Sequence, residues 1–306
     1  MRKFLVIALL ILCCSAAFAQ PDALHSFELT GGAGWSNIGY KIADMRQTGA
    51  VGGMLHAGYN IHLTRWMSLG IGVDVESDGA VTRGDLFRSW TDVTDTDGER
   101  YEHRLQLNDW SERGRVWLLQ IPVALQFIVP AQKVSFSVQV GAKWGTKIGG
   151  SVNTNGTTVH TGYYEPWHLT LSDMETYGFY SARYKQKQPF PASVNSTWHV
   201  FGKLGILTPL TSKLYFTAHI YADYSLTDLL KNVSSEKPLG VRNDKEGMEY
   251  VHYFMPEYTS LLDTEAADLG NSKLLNVGLE IGLRYVIVTR KRSAHSRKYP
   301  CRCLMD

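Results

Sequence analysis

From Val134 to Trp144 the chain alternates without a break. Val134, Phe136, Val138, Val140, Ala142 and Trp144 stand against Ser135, Ser137, Gln139, Gly141 and Lys143. Leu275 to Tyr285 repeats the pattern, with Leu275, Val277, Leu279, Ile281, Leu283 and Tyr285 against Asn276, Gly278, Glu280, Gly282 and Arg284. A period of two belongs to an extended strand, whose successive side chains point to opposite faces. Such a segment has one apolar and one polar face, so its sheet must separate two unlike environments.

Eight segments read this way: Ser26–Trp35, Ala50–His62, Trp66–Thr82, Arg115–Val129, Val134–Gly149, Thr197–Thr208, Leu214–Leu226 and Leu274–Val288. The connections between them run 14, 3, 32, 4, 47, 5 and 47 residues, so long and short strictly alternate. A soluble sandwich has no reason for this. An up-and-down barrel in an outer membrane does, with short periplasmic turns and long outer loops. The expectation is all-β: an eight-stranded antiparallel transmembrane β-barrel with long extracellular loops.

Paired residues must share a face. This parity places His62 opposite Trp66 around Leu63-Thr64-Arg65. It also places Leu214 opposite Thr208 around Pro209–Lys213, which sets His199 against Asp223 and Lys203 against His219. Asp97-Gly98 and Asn155-Gly156 both carry the hairpin signature. The first suggests strands that continue past the membrane. The flanks of the second offer no apolar face, which keeps the count at eight.

Aromatics lie at strand ends on the apolar faces. Phe27 and Trp35 are eight residues apart, as are Phe136 and Trp144, and Phe216 and Tyr224; Trp117 and Phe127 are ten apart. Eight residues at ~3.3 Å, tilted by ~40°, rise about 20 Å, close to the apolar band between two aromatic girdles. Trp198 extends the outer ring; Tyr59 and Tyr285 extend the inner one.

The opposite faces form a polar inward set: Glu28, His56, His62, Asp74, Glu76, Gln120, Gln126, Gln139, Lys143, His199, Lys203, His219, Asp223, Glu280 and Arg284. Eight strands leave an interior just wide enough for side chains. Unpaired buried charges are costly, so mixed signs predict a paired plug and not an open channel. His199 with Asp223 could orient a base, as a lipid-modifying enzyme needs, or serve as a structural ion pair. No nucleophile is specified.

The first 47-residue connection is rich in aromatics: Tyr163, Tyr164, Trp167, Tyr177, Phe179, Tyr180, Tyr184 and Phe190. The last carries Tyr250, Tyr253, Phe254 and Tyr258. Such rings suit recognition or pack the loops together as a cap.

Residues 1–19 read as a secretory signal. Met1-Arg2-Lys3 precedes an apolar run from Phe4 to Cys14 and the small-x-small site Ala17-Phe18-Ala19. Residues 20–288 form the barrel region and residues 289–306 a basic tail on the periplasmic side. Removing the signal deletes Arg2 and Lys3 and levels the bases with the 29 acids. No nucleic-acid partner is implied. Only Cys301 and Cys303 remain after the signal. A Cys-x-Cys pair with His295 nearby cannot complete a metal site, so no metal or cofactor is expected.

Leu119-Gln120-Ile121-Pro122-Val123-Ala124-Leu125-Gln126-Phe127 resembles the Leu-Glu-Ile-Pro-Leu-Leu-Leu-Lys-Tyr strand of the porin-family outer-membrane β-barrel proteins of the Bacteroidetes. Gly278-Leu-Glu-Ile-Gly-Leu-Arg-Tyr285 resembles their closing strand, similar to an insertion signal for the barrel assembly machinery. Gln120 departs from the family's acid, and 18 residues follow Val288 where such chains usually stop near the closing aromatic. The resemblance implies an integral protein of the cell outer membrane, in contact with outer-membrane lipid and lipopolysaccharide and with the assembly machinery during insertion. It supplies no catalytic residues. The functional expectation is a non-enzymatic structural or surface-recognition role for the cell envelope, with an unidentified extracellular ligand. The alternatives are an accessory component of a protein secretion apparatus and a lipid-modifying enzyme.

Overall fold

The computed structural model describes residues 24–288 apart from 43, 65, 96, 130–133, 191–193, 232–259 and 264–266. The predicted signal, the basic tail with His295, Cys301 and Cys303, and the loop aromatics Tyr250, Tyr253, Phe254 and Tyr258 lie outside the described residues.

Twelve strands follow in chain order: β1 (Leu24–Ile38), β2 (Lys41–Ile42), β3 (Arg46–His62), β4 (Met67–Thr94), β5 (Arg100–Val129), β6 (Ser135–Tyr164), β7 (Leu169–Leu171), β8 (Ser181–Pro189), β9 (Thr197–Pro209), β10 (Leu214–Ser225), β11 (Ala267–Asp268) and β12 (Leu274–Val288). The main sheet has ten strands where the sequence suggested eight, because β7 and β8 add to the far part of β6. β2 and β11 form a separate two-stranded sheet. Every pairing is antiparallel, and the pairings close on themselves: β1–β3–β4–β5–β6–β9–β10–β12 and back to β1.

Much of the expected loop sequence is strand. β4 spans 28 residues, and β5 and β6 span 30 each. The 32-residue connection contracts to the turn between Thr94 and Arg100, where Gly98 adopts φ 84° and its N–H donates to the Asp95 carbonyl at 3.2 Å. Asp97-Gly98 is therefore a hairpin. Asn155-Gly156 is not: both lie inside β6, Asn155 opposite Ser111 and Lys185. Gly156 is required by a close approach, since a Cβ there would come within 2.5 Å of the Trp110 ring.

Both short hairpins keep the expected parity and move by two residues. His62 pairs with Ser68, not Trp66. Thr208 pairs with Phe216, not Leu214, so His199 stands opposite Ser225 and Lys203 opposite Tyr221. Parity repeats every two residues and cannot separate these registers; the turn decides. The backbone N–H groups of Leu63 and Thr64 both donate to the Met67 carbonyl, and those of Leu210 and Thr211 to the Leu214 carbonyl.

Burial changes sense along single strands. On the lower part of β5, Ile121, Val123 and Leu125 are exposed, while Gln120 and Gln126 are fully buried. From Leu118 upward the order reverses. Arg113 and Arg115 face solvent, while Leu105, Leu107, Trp110, Val116 and Leu118 are buried. β6 behaves alike: Val138 and Val140 are exposed over buried Gln139 and Lys143, then Asn153 and Asn155 are exposed over buried Val152. The buried side chains of the upper part join Ile38, Tyr40, Leu229, Leu261 and Leu274 in one apolar core. Glu112 anchors the chain that covers it, accepting from Ser260 Oγ and from the Leu261 N–H at 3.1 Å.

Candidate functional site

The inward side chains of the lower part meet across the closed sheet. Lys143 on β6 is the hub. Its Nζ lies 2.8 Å from Asp223 on β10, 3.1 Å from Asp74 and 3.7 Å from Glu76 on β4. β4 and β10 share no ladder, so these contacts span the interior. Asp74 also bonds His56 on β3, and Asp223 accepts from His199 Nδ1 at 3.0 Å. From β12, Asn276 Nδ2 donates to Glu76 and, at 3.0 Å, to Asp78. A second storey lies nearer the short turns. Arg284 Nη2 donates to Glu28 at 2.5 Å, Lys203 Nζ lies 2.7 Å from Glu280, and Thr30 donates to Glu280. His219 is opposite Glu280 on the ladder. The Phe201 ring lies between the storeys, with Lys143 Nζ 5.1 Å and Lys203 Nζ 5.8 Å from its centroid.

Apart from His62, which is half-buried, every inward residue named from the sequence is buried. Ser68 Oγ donates to Gln126 Oε1 at 3.2 Å, and Gln120 is fully enclosed. The expected His199–Asp223 contact is present, but diagonally, because Asp223 pairs with Phe201. The expected Lys203–His219 pairing is replaced by Lys203–Glu280. Sequence reasoning missed Asp78, Asn276, Phe201 and Tyr221. Asp78 continues the parity of Asp74 and Glu76, and Asn276 that of Glu280, so both were within reach of the same pattern. The Tyr221 position depends on two facing glycines: a Cβ on Gly34 or Gly278 would stand 2.9 or 2.8 Å from its hydroxyl.

Thr197 Oγ1 lies 2.7 Å from His199 Nε2, so Thr197, His199 and Asp223 form a hydroxyl–imidazole–carboxylate relay. This is the order of groups in nucleophilic hydrolases. All three are buried, Thr197 and His199 completely. The hydroxyl and the imidazole are thus both turned away from the surface, and Asp223 joins them to the Lys143 network.

The aromatics on the opposite faces point outward. Phe27, Trp35, Trp117, Phe136, Trp144, Trp198, Tyr224 and Tyr285 are exposed, and Tyr59, Phe127 and Phe216 half-exposed. The loop aromatics largely pack on one another. Tyr164 is buried against Tyr101, with ring centroids 5.4 Å apart, and its hydroxyl donates to Asp95 at 2.7 Å. Tyr177 donates to Asp97 at 2.7 Å, and Arg104 lies 4.2 Å over the Tyr163 ring. Tyr180 stacks on His160 at 4.8 Å. Trp167 stands out at 56% exposure. Beside this cluster His103 and His160 lie 3.1 Å apart. Burial holds both imidazoles down at about 4, helped at His160 by the charge of its neighbour.

No protein-family model and no curated protein matches the chain. Several solved structures overlap it in part. The outer membrane protein OprG of Pseudomonas aeruginosa is 9% identical, with a TM-score of 0.37, covering 88% of this chain and 96% of OprG. The Yersinia pestis attachment invasion locus protein Ail is 10% identical, with a TM-score of 0.30, covering 85% and 98%. Neisserial surface protein A is 9% identical, with a TM-score of 0.32, covering 87% and 97%. The reading of this chain therefore rests on its own pairings and burial.

Proposed function

We propose that this chain is an integral outer-membrane β-barrel of eight membrane strands, its lumen filled by paired polar side chains, serving a non-enzymatic structural or surface-recognition role. The observation that carries the reading is the reversal of burial along β5 and β6. Below Trp117 and Trp144 apolar side chains face outward and ionisable ones inward; above them the order is that of a water-soluble protein. One strand meets two solvents only if a boundary crosses it, and an exposed apolar band ringed by aromatics fits hydrocarbon. The signal-like residues 1–19 and the alternation of connection lengths agree with export to the outer membrane and with insertion by the assembly machinery. The resemblance of the β5 and β12 strands to the Bacteroidetes porin family fits this placement.

The test is cell fractionation followed by gel electrophoresis of boiled and unboiled protein, with conductance measured in planar bilayers. Recovery in the outer membrane, a heat-dependent shift in migration and no steady conductance are expected. Recovery as a soluble protein with one mobility would refute the barrel. A stable open pore would refute the plug.

A further inference from the structure

We propose that the outward face of β3, β4 and β5, just above the aromatic girdle, binds a phosphorylated glycolipid of the outer leaflet, with the phosphates on Arg46, Arg83, Arg113 and Arg115 and an acyl chain in the groove beneath. The proposal rests on the membrane placement given above. All four arginines are exposed. Arg46 and Arg83 are directly opposite each other on β3 and β4. Like charges in that position repel across the ladder, and among the described residues no carboxylate forms an ion pair with any of the four. Their surroundings therefore leave four guanidinium groups concentrated on three neighbouring strands with no carboxylate within 4 Å among the described residues.

Their height suits a headgroup. Arg115 and Arg113 stand two and four residues beyond Trp117 on the same face, which at ~3.3 Å per residue and ~40° tilt is about 5 and 10 Å above the girdle. Two inter-strand spacings separate β3 from β5, about 10 Å. A patch with guanidinium groups at two depths fits a headgroup bearing more than one phosphate better than a single phosphodiester. Guanidinium forks match phosphate oxygens bidentately.

Directly beneath lies a cavity of about 390 Å³ on the apolar side, lined by Val51, Gly53, Leu55, Val75, Arg115 and Trp117. It forms where the β3–β4 ladder lapses between Gly49 and Gly53. Arg115 bridges the two features, its Nη2 donating at 3.4 Å to the carbonyl of Val51, which has no partner on β4. Cationic patch and apolar slot are thus stacked along the membrane normal, in the order of a lipid's own headgroup and chain.

The test uses the full chain in zwitterionic detergent and native mass spectrometry with three probes: bisphosphorylated lipid A, its dephosphorylated form and phosphatidylglycerol. Lipid A is expected to bind at least ten-fold more tightly than either of the others. Arg113→Gln/Arg115→Gln and Arg46→Gln/Arg83→Gln should each weaken it at least ten-fold, and Gly53→Leu should weaken it by narrowing the slot. Lys213→Gln, at a turn on the opposite rim, should bind as the parent does. Equal binding of dephosphorylated lipid A, or arginine variants that bind as the parent does, would overturn the proposal while leaving the barrel intact. Equal binding of phosphatidylglycerol would overturn the glycolipid assignment. Loss of the heat-dependent gel shift in the parent chain would overturn the barrel, and the site with it.

Discussion

Lys143→Met removes one charge and keeps the length of the side chain. In the structure that charge stands 2.8 Å from Asp223, 3.1 Å from Asp74 and 3.7 Å from Glu76. At an effective dielectric constant of ~20, each contact is worth about 5 kcal/mol of gross attraction. Desolvation offsets most of this when the pair is formed, but not when one partner is deleted and the other charges stay buried. The loss is then about 3–5 kcal/mol. With an m-value of about 3 kcal/mol/M in guanidinium chloride, the unfolding midpoint in lipid vesicles should fall by roughly 1–1.7 M. Adding Asp223→Asn and Asp74→Asn to the same chain should recover at least half of that, since the stranded charges leave with the lysine. A midpoint shift below about 0.3 M, or a triple variant weaker than the single one, would refute the reasoning. Either result would mean that water, and not Lys143, neutralises these acids.

Three further outcomes are expected. His103 and His160 are held at about 4 by burial, against ~6.5 for a free imidazole. Their folded form prefers the neutral ring, so the upper layer has its full stability above pH ~6.5 and loses it as the pH falls towards 4. Amide hydrogen exchange over residues 101–107, taken relative to the intrinsic rate at each pH, should quicken over that window and become flatter with pH in His103→Gln/His160→Gln. Ile121→Arg places a charge mid-span on the exposed face and should cost about 2–4 kcal/mol in vesicles; a change below ~1 kcal/mol would place that face in water. Gly156→Val drives a side chain into the Trp110 ring and should open the upper layer to protease while leaving the gel mobility of the lower part unchanged.

The alternating strands were legible because their lower halves keep one parity: inward Asp74 and Glu76, Gln120 and Gln126, Gln139 and Lys143. Register was not legible, since shifts of two residues preserve every face. The upper layer was hidden for a different reason. Near the aromatic girdle, two strands take an irregular step: β3 between Gly49 and Gly53, and β6 at Ile148, left over where Trp117 pairs with Gly149 and Leu118 with Lys147. Each step exchanges odd and even faces, so a sequence pattern followed across it dissolves. On β5 a third step at Asp109, with φ 50°, separates the buried Trp110 from Leu107 and Leu105 and makes a continuous strand resemble a loop. Of the site, the ionisable members were visible by parity. Parity also turns Phe201 inward, between His199 and Lys203, and Tyr221, between His219 and Asp223; what obscured them is that an aromatic ring suits the outward face equally well.

The closed sheet is blocked twice, by seals of opposite chemistry. In the lower storeys Glu28 and Glu280 face Lys203 and Arg284, and Lys143 is surrounded by Asp74, Glu76 and Asp223. Above them Ile38, Leu118, Leu229 and Leu274 are fully buried in an apolar layer. A polar solute able to loosen the ionic layer would still meet a dry one, and an apolar solute that dissolved in the dry layer would meet buried charge. Passage along the axis would therefore require two unrelated rearrangements at once, each costing several kcal/mol. Among the described residues, the features open to a partner lie on the outside: the exposed arginines and the groove beside them, the exposed Trp167, and the rim of the upper layer. Function on that surface needs a rigid wall behind it, and the paired charges inside supply one.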